Sequence, residues 1–167
     1  MLKLTTTVAL ILLASVITFA QVNPAKLKIN GSIGLDSTYA QIVKAFGKPA
    51  RDGRARSEGC IGAREKTVDY AGLSFYMMDG DSKSGKTFEV KGFFVTSAKW
   101  TVSGVRIGDT QATVKAKLGS KYTVNRRTDN GGLAWQYEMS DTDGPGTSTI
   151  IFKKGKVVEM GSAYQVC

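Results

Sequence analysis

Cys60 is the residue of this chain best suited by type to act as a nucleophile. It sits in a glycine-rich stretch near Arg54, Arg56 and Arg64, and neighbouring cations lower a thiol pKa and favour the reactive thiolate. A catalytic thiol also needs a base, and the chain has no histidine. Ser-His-Asp and Cys-His pairs are therefore absent. Zinc sites built on histidine are absent too, and two distant cysteines cannot make a cysteine-rich one. Asp79 with Asp81, and Asp141 with Asp143, have the spacing of calcium loops. Neither pair is followed by the glutamate that completes such a loop, so they read as turn residues. The glycines around Pro145 and at 131–132 lack a downstream Lys-Ser/Thr and do not form a phosphate loop. The expectation is a protein that is not an enzyme and uses no cofactor or metal. An envelope enzyme working through Cys60 is the weakest alternative.

Two features could carry binding instead. Residues 48–65 hold Arg51, Arg54, Arg56 and Arg64 against Asp52, Glu58 and Glu65. Guanidinium forks there could grip carboxylates or phosphates bidentately, although the same stretch also reads as a solvated loop. The second feature is the aromatic set Tyr70, Tyr76, Phe93, Trp100, Trp135 and Tyr137 on predicted strands. Aromatic side chains dominate interface hot spots, but most of these are expected to fill a core. The candidate interaction residues are Arg51, Arg54, Arg56, Arg64, Tyr76, Tyr137 and Trp100.

The elements that must position these residues occur twice. Ile33, Leu35, Ile42 and Phe46 match Val105, Ile107, Val114 and Leu118, 72 residues apart from Ile33 to Val105. Thr38, Ala40 and Gly47 recur unchanged as Thr110, Ala112 and Gly119. Each copy reads as a short helix with a threonine N-cap, an apolar pair four residues apart on one face, and a glycine stop. Thr38 with Gln41 is a capping box, which Thr113 interrupts in the second copy. Helices this short need packing to persist, and strand signals follow each copy. Runs 66–70 and 73–78 flank an Ala71-Gly72 turn, and 88–100 reads as a long strand bulged at Gly92. Leu133, Trp135, Tyr137 and Met139 alternate with polar or small residues, and 147–153 and 156–166 form a hairpin over Lys154-Gly155. A short edge strand is expected over 26–29, and 48–65 is expected as a loop or irregular helix. The fold class is α+β: two tandem units, 21–101 and 102–167, each a short helix packed on an antiparallel sheet. Units of this size are marginal alone, so they share a core or join edges into one sheet.

Residues 1–20 read as a signal peptide, with Lys3 ahead of an apolar run from Val8 to Phe19 that is too short to span a bilayer. No cysteine follows it closely, so lipidation is not expected, and the chain is expected in the periplasm or outside the cell. The full chain carries a formal net charge of +9, and removing the segment with Lys3 leaves +8. That balance favours an anionic partner or surface, or serves solubility. Export argues against nucleic acid. Cys60 and Cys167, an even count in an exported chain, suggest one disulfide; free thiols or an intermolecular bridge are the alternatives.

The two helix-plus-sheet units resemble the β-lactamase-inhibitory-protein fold. The run Gly108-Asp109-Thr110, Val114, Leu118-Gly119 is also similar to a signature of the small lipoprotein of the outer-membrane barrel-assembly machinery. The resemblance implies non-enzymatic work: binding another protein through the sheet face and neighbouring loops, as an inhibitor or an envelope-assembly accessory. It covers most of the mature chain but carries no interface residue across, because the shared motif lies in the helix. The second function considered is a module for an anionic small molecule, glycan or lipid, bound through the loop 51–64.

Overall fold

Thr38 and Thr110 each end an extended segment and start a helix. In the computed structural model, which describes residues 23–57, 59, 62–79, 87–126, 132–139 and 145–165, α1 is Tyr39–Phe46 and α2 is Gln111–Leu118. The Thr38 side chain accepts from the Gln41 N–H at 3.3 Å, and the Gln41 side chain accepts from the Thr38 N–H at 2.7 Å. In α2 the Thr113 hydroxyl instead lies 3.0 Å from that of Thr110. Gly47 and Gly119 end the helices at φ 79° and 84°. Their ψ values of −165° and −173° differ from the expected left-handed helical cap and fall in a region open essentially to glycine. The expected signal peptide, Cys60, Cys167, Asp81, Asp141 and Asp143 lie outside the described residues.

Each helix is clamped to a strand in the same way. Asp36 N–H donates to the Val90 carbonyl and Val90 N–H to Ser37; Gly108 N–H donates to Val157 and Val157 N–H to Asp109, all at 2.8–2.9 Å. The strands are β1 Arg51–Asp52, β2 Arg56–Ser57, β3 Arg64–Tyr70, β4 Leu73–Asp79, β5 Phe88–Val95, β6 Thr101–Val102, β7 Val105–Arg106, β8 Thr123–Arg126, β9 Leu133–Glu138, β10 Gly146–Lys153 and β11 Lys156–Tyr164. Among the described residues, nine of them form one antiparallel sheet in the order β1-β3-β4-β5-β11-β10-β9-β8, with β2 beside β1 along β3. The separate hairpin β6–β7 links the halves.

The seam of the sheet is β5 against β11, where Phe93 pairs with Ser162, Phe94 with Gly161 and Val95 with Met160. The repeat distance here is 67 residues, from Val90 to Val157, rather than the 72 of the helices. At that distance Phe93 corresponds to Met160, Val95 to Ser162, and Phe94 to Gly161. The seam therefore looks the same from either half. Register shifts leave Lys91 in β5 and Val158 in β11 as the extra residues, so the bulge recurs as well. It falls on Lys91 rather than on Gly92.

One apolar cluster lies between the helices and a single face of the sheet. It includes Ile42, Val114 and Leu118 from the helices and Val68, Phe75, Phe93, Trp135, Ile150 and Met160 from the strands. Tyr70 and Tyr137, again 67 apart, each donate a hydroxyl to the closing glycine of the nearby helix, Gly47 at 2.8 Å and Gly119 at 3.4 Å. Where the first half pairs Leu73 with Val95, the second pairs buried Ser148 with Ser162, hydroxyls 2.7 Å apart.

Three expected elements differ. Residues 26–29 do not form an edge strand: Pro24–Lys26 is a 3-10 turn, capped by Asn23, and Ile29 makes bridges to Ile33 and Val102. The stretch 48–65 is neither loop nor helix throughout, because β1 and β2 pair with β3. The strand expected over 88–100 ends at Val95, where the chain turns and Thr96 N–H donates to Gly72.

Candidate binding face

Side chains on successive strand residues alternate between faces, so the face opposite the helices can be read from the register. One row across it runs Arg51, Asp69, Ser74, Phe94, Gly161, Thr149, Gln136, Thr123. The next runs Thr67, Tyr76, Gly92, Ala163, Thr147, Glu138. The middle of this face has little side chain: Gly92, Gly161 and Ala163. Phe94 rises from it, 50% exposed. Beside Phe94, a shallow trough of about 340 Å³ is lined by Thr147, Thr149, Gly161 and Ala163. An apolar ring standing over a small-residue floor can seat a side chain from a partner, with Glu159 at the border of the trough.

A second concavity, about 290 Å³, lies at the β1–β2 edge of the same sheet and is lined by Arg51, Arg54, Arg56, Lys66, Thr67 and Tyr76, with Gly53 and Glu65. The edge strand breaks between β1 and β2, while Gly53 N–H still donates to Thr67 at 2.8 Å. A Cβ on Gly53 would lie 2.8 Å from the Thr67 carbonyl oxygen, so only glycine lets the chain approach that closely. The carboxylates around the notch are already engaged. Asp69 accepts from Arg51 at 2.6 Å, Glu65 from the Tyr76 hydroxyl at 2.6 Å, and Asp52 from Lys66 at 2.8 Å and Tyr39 at 2.7 Å. The bond to Asp52 pushes the Tyr39 hydroxyl up to about 12.

Of the sequence-predicted residues, Arg51, Arg54, Arg56 and Tyr76 come together here. Arg64 does not: its N–H and its guanidinium bind Asp79 at 2.6 and 2.9 Å. Those bonds, side chain first, hold the Asp79 carboxyl below the usual carboxylate range. Asp79, 8% exposed, is thus a buried ion-pair partner and not a solvated turn residue. Trp100 and Tyr137, also expected as interaction residues, do not join them either. Trp100 is buried, donating its indole N–H to Ala71 at 2.9 Å and packing edge-on against Phe46. Tyr137 is buried with its hydroxyl on Gly119, and burial pushes that hydroxyl well above its ordinary pKa. Both face the core and present nothing to a partner. Phe94 is absent from the sequence candidates, yet adjacent Phe93 and Phe94 on one strand must point to opposite faces, which was the available signal.

No protein-family model and no curated protein matches the chain. Among solved structures, it is similar to an extracellular protein containing a SCP domain from Bacillus anthracis str. Ames, at 14% identity and a TM-score of 0.46. The match covers 78% of this chain and 44% of that one, so it concerns less than half of the other protein. No helix among the described residues is long and apolar enough to cross a membrane.

Proposed function

We propose that this is an exported, non-enzymatic binding protein that engages another protein through the face of its sheet opposite the helices. The observation that carries the reading is Phe94, half exposed over a floor of Gly92, Gly161 and Ala163 at the centre of that face. Aromatic anchors beside small-residue pockets are where binding energy concentrates. The resemblance to the β-lactamase-inhibitory-protein fold and to the barrel-assembly lipoprotein gives the same role: an inhibitor or an envelope-assembly accessory. The Cys60–Cys167 disulfide belongs to this reading, and peptide mapping under non-reducing conditions tests it. The function is tested by immobilising the protein and the Phe94→Ala variant, then eluting bound envelope and culture-supernatant proteins with a salt gradient. A partner held by the wild type beyond about 0.5 M salt, where exposed charges are screened, and lost by the variant supports the reading. Equal retention on both columns rejects it.

A further inference from the structure

We propose that the notch in the broken edge strand, formed by Arg51, Arg54 and Arg56 over Thr67 and Tyr76, is a binding site for a phosphate or sulfate ester group. It lies at the edge of the face that carries Phe94, since Tyr76 pairs with Gly92, but Phe94 does not line it. Positive charge alone would not make it a site. What distinguishes it is that the nearby carboxylates are already engaged by other side chains while those of Arg54 and Arg56 are not. Asp69 is held by Arg51, Asp52 by Lys66 and Tyr39, and Glu65 by Tyr76. The side chains of Arg54 and Arg56 have no hydrogen-bond or ion-pair partner among the described residues.

Each guanidinium presents five donors in a planar fork suited to two oxygens. One fork satisfies a carboxylate. Two such forks, Arg54 within the strand break and Arg56 at the start of β2, match the several oxygens of a tetrahedral anion. The notch of about 290 Å³ has room for such a group with part of the molecule bearing it. Glu65 also lines the notch. It stands opposite Arg56 in the β2–β3 ladder, and its carboxylate accepts from the Tyr76 hydroxyl at 2.6 Å.

Titration of the purified protein with inorganic phosphate at about 0.15 M salt, where loose attraction is screened, tests the site through the arginine Nε–H NMR signals. The Arg54 and Arg56 signals should shift and saturate. Arg54→Gln/Arg56→Gln should weaken phosphate binding about tenfold or more, while Lys28→Gln/Lys48→Gln, which removes the same charge from exposed positions elsewhere, should change it less than about twofold. Equal weakening by both pairs, or saturation without movement of the Arg54 and Arg56 signals, overturns the proposal. Phosphatidylcholine vesicles with and without phosphatidylglycerol identify the source. Binding to the anionic vesicles that phosphate displaces and the arginine pair abolishes supports a lipid headgroup. Phosphate binding without vesicle binding supports a soluble ester. Vesicle binding indifferent to both overturns use of the notch by membranes. Phe94→Ala should leave phosphate binding intact, so failure here and failure of the sheet-face reading are told apart.

Discussion

Phe94 and Gly161 face each other across the β5–β11 seam and occupy the same position in the two copies of the repeat. A Cβ on Gly161 would lie 2.9 Å from Cδ1 of Phe94, closer than side-chain carbons come. The ring of one copy uses the space that the other copy leaves empty. Gly161→Val is therefore expected to displace Phe94 and to cost about 1–3 kcal/mol through overpacking, read as a lower midpoint in urea unfolding. Phe94→Ala, at a half-exposed site, should change stability by less than about 1 kcal/mol while removing partner binding.

The two tyrosines that tie helix ends to the sheet differ in burial, and that difference predicts unequal effects. Tyr137→Phe leaves the Gly119 carbonyl unpaired in the interior and should cost about 1 kcal/mol or more. Tyr70→Phe acts at a wetter site, where water replaces the hydroxyl, and should cost less. A larger loss for Tyr70→Phe in chemical denaturation would contradict this assignment.

Ser148 and Ser162 satisfy one another inside the core. Removing one hydroxyl, as in Ser148→Ala, leaves the other buried and unpaired, at about 1–3 kcal/mol. Removing both should cost less than the sum of the single changes. A double-mutant cycle measures this directly, and additivity would contradict a mutual bond.

Acid should weaken the fold partly through Asp79. Its carboxyl titrates below the usual range because Arg64 binds it, so the folded pKa is lower than the unfolded one. The associated stability is fully present above the unfolded value, near pH 4, and is lost as pH falls through the lower folded value. Asp79→Asn should lower stability at neutral pH and flatten its decline below about pH 4. An unchanged acid profile would assign the decline to other carboxylates.

The local devices were legible in the sequence. The Thr38–Gln41 box, the glycine stops, the Ala71-Gly72 and Lys154-Gly155 turns and the inward set Leu73, Phe75 and Met77 all follow from nearest neighbours. The broken edge strand was not, because two-residue strands have no periodicity and β1 and β2 exist only through pairing with β3. The seam was hidden by a change of repeat distance. Phe46 to Tyr70 is longer than Leu118 to Tyr137, so an alignment anchored on the helices misplaces the strands: at 72 residues Glu89-Val90 falls on Gly161-Ser162, whereas it matches Lys156-Val157. Tyr137 and Trp100 looked available because strand alternation says which residues share a face but not which face the helices cover.

The symmetric register of the seam also bears on how such a chain could arise. An edge that pairs Phe93 with the counterpart of Val95, and its central residue with itself, would close on an identical edge from a separate molecule. One copy of the unit would then be a homodimer with two identical side chains meeting on its axis. Joining the copies in one chain removes that constraint, since the two axial positions can differ. Phenylalanine on one side and glycine on the other is an asymmetry open to the fused chain but closed to a dimer of identical units.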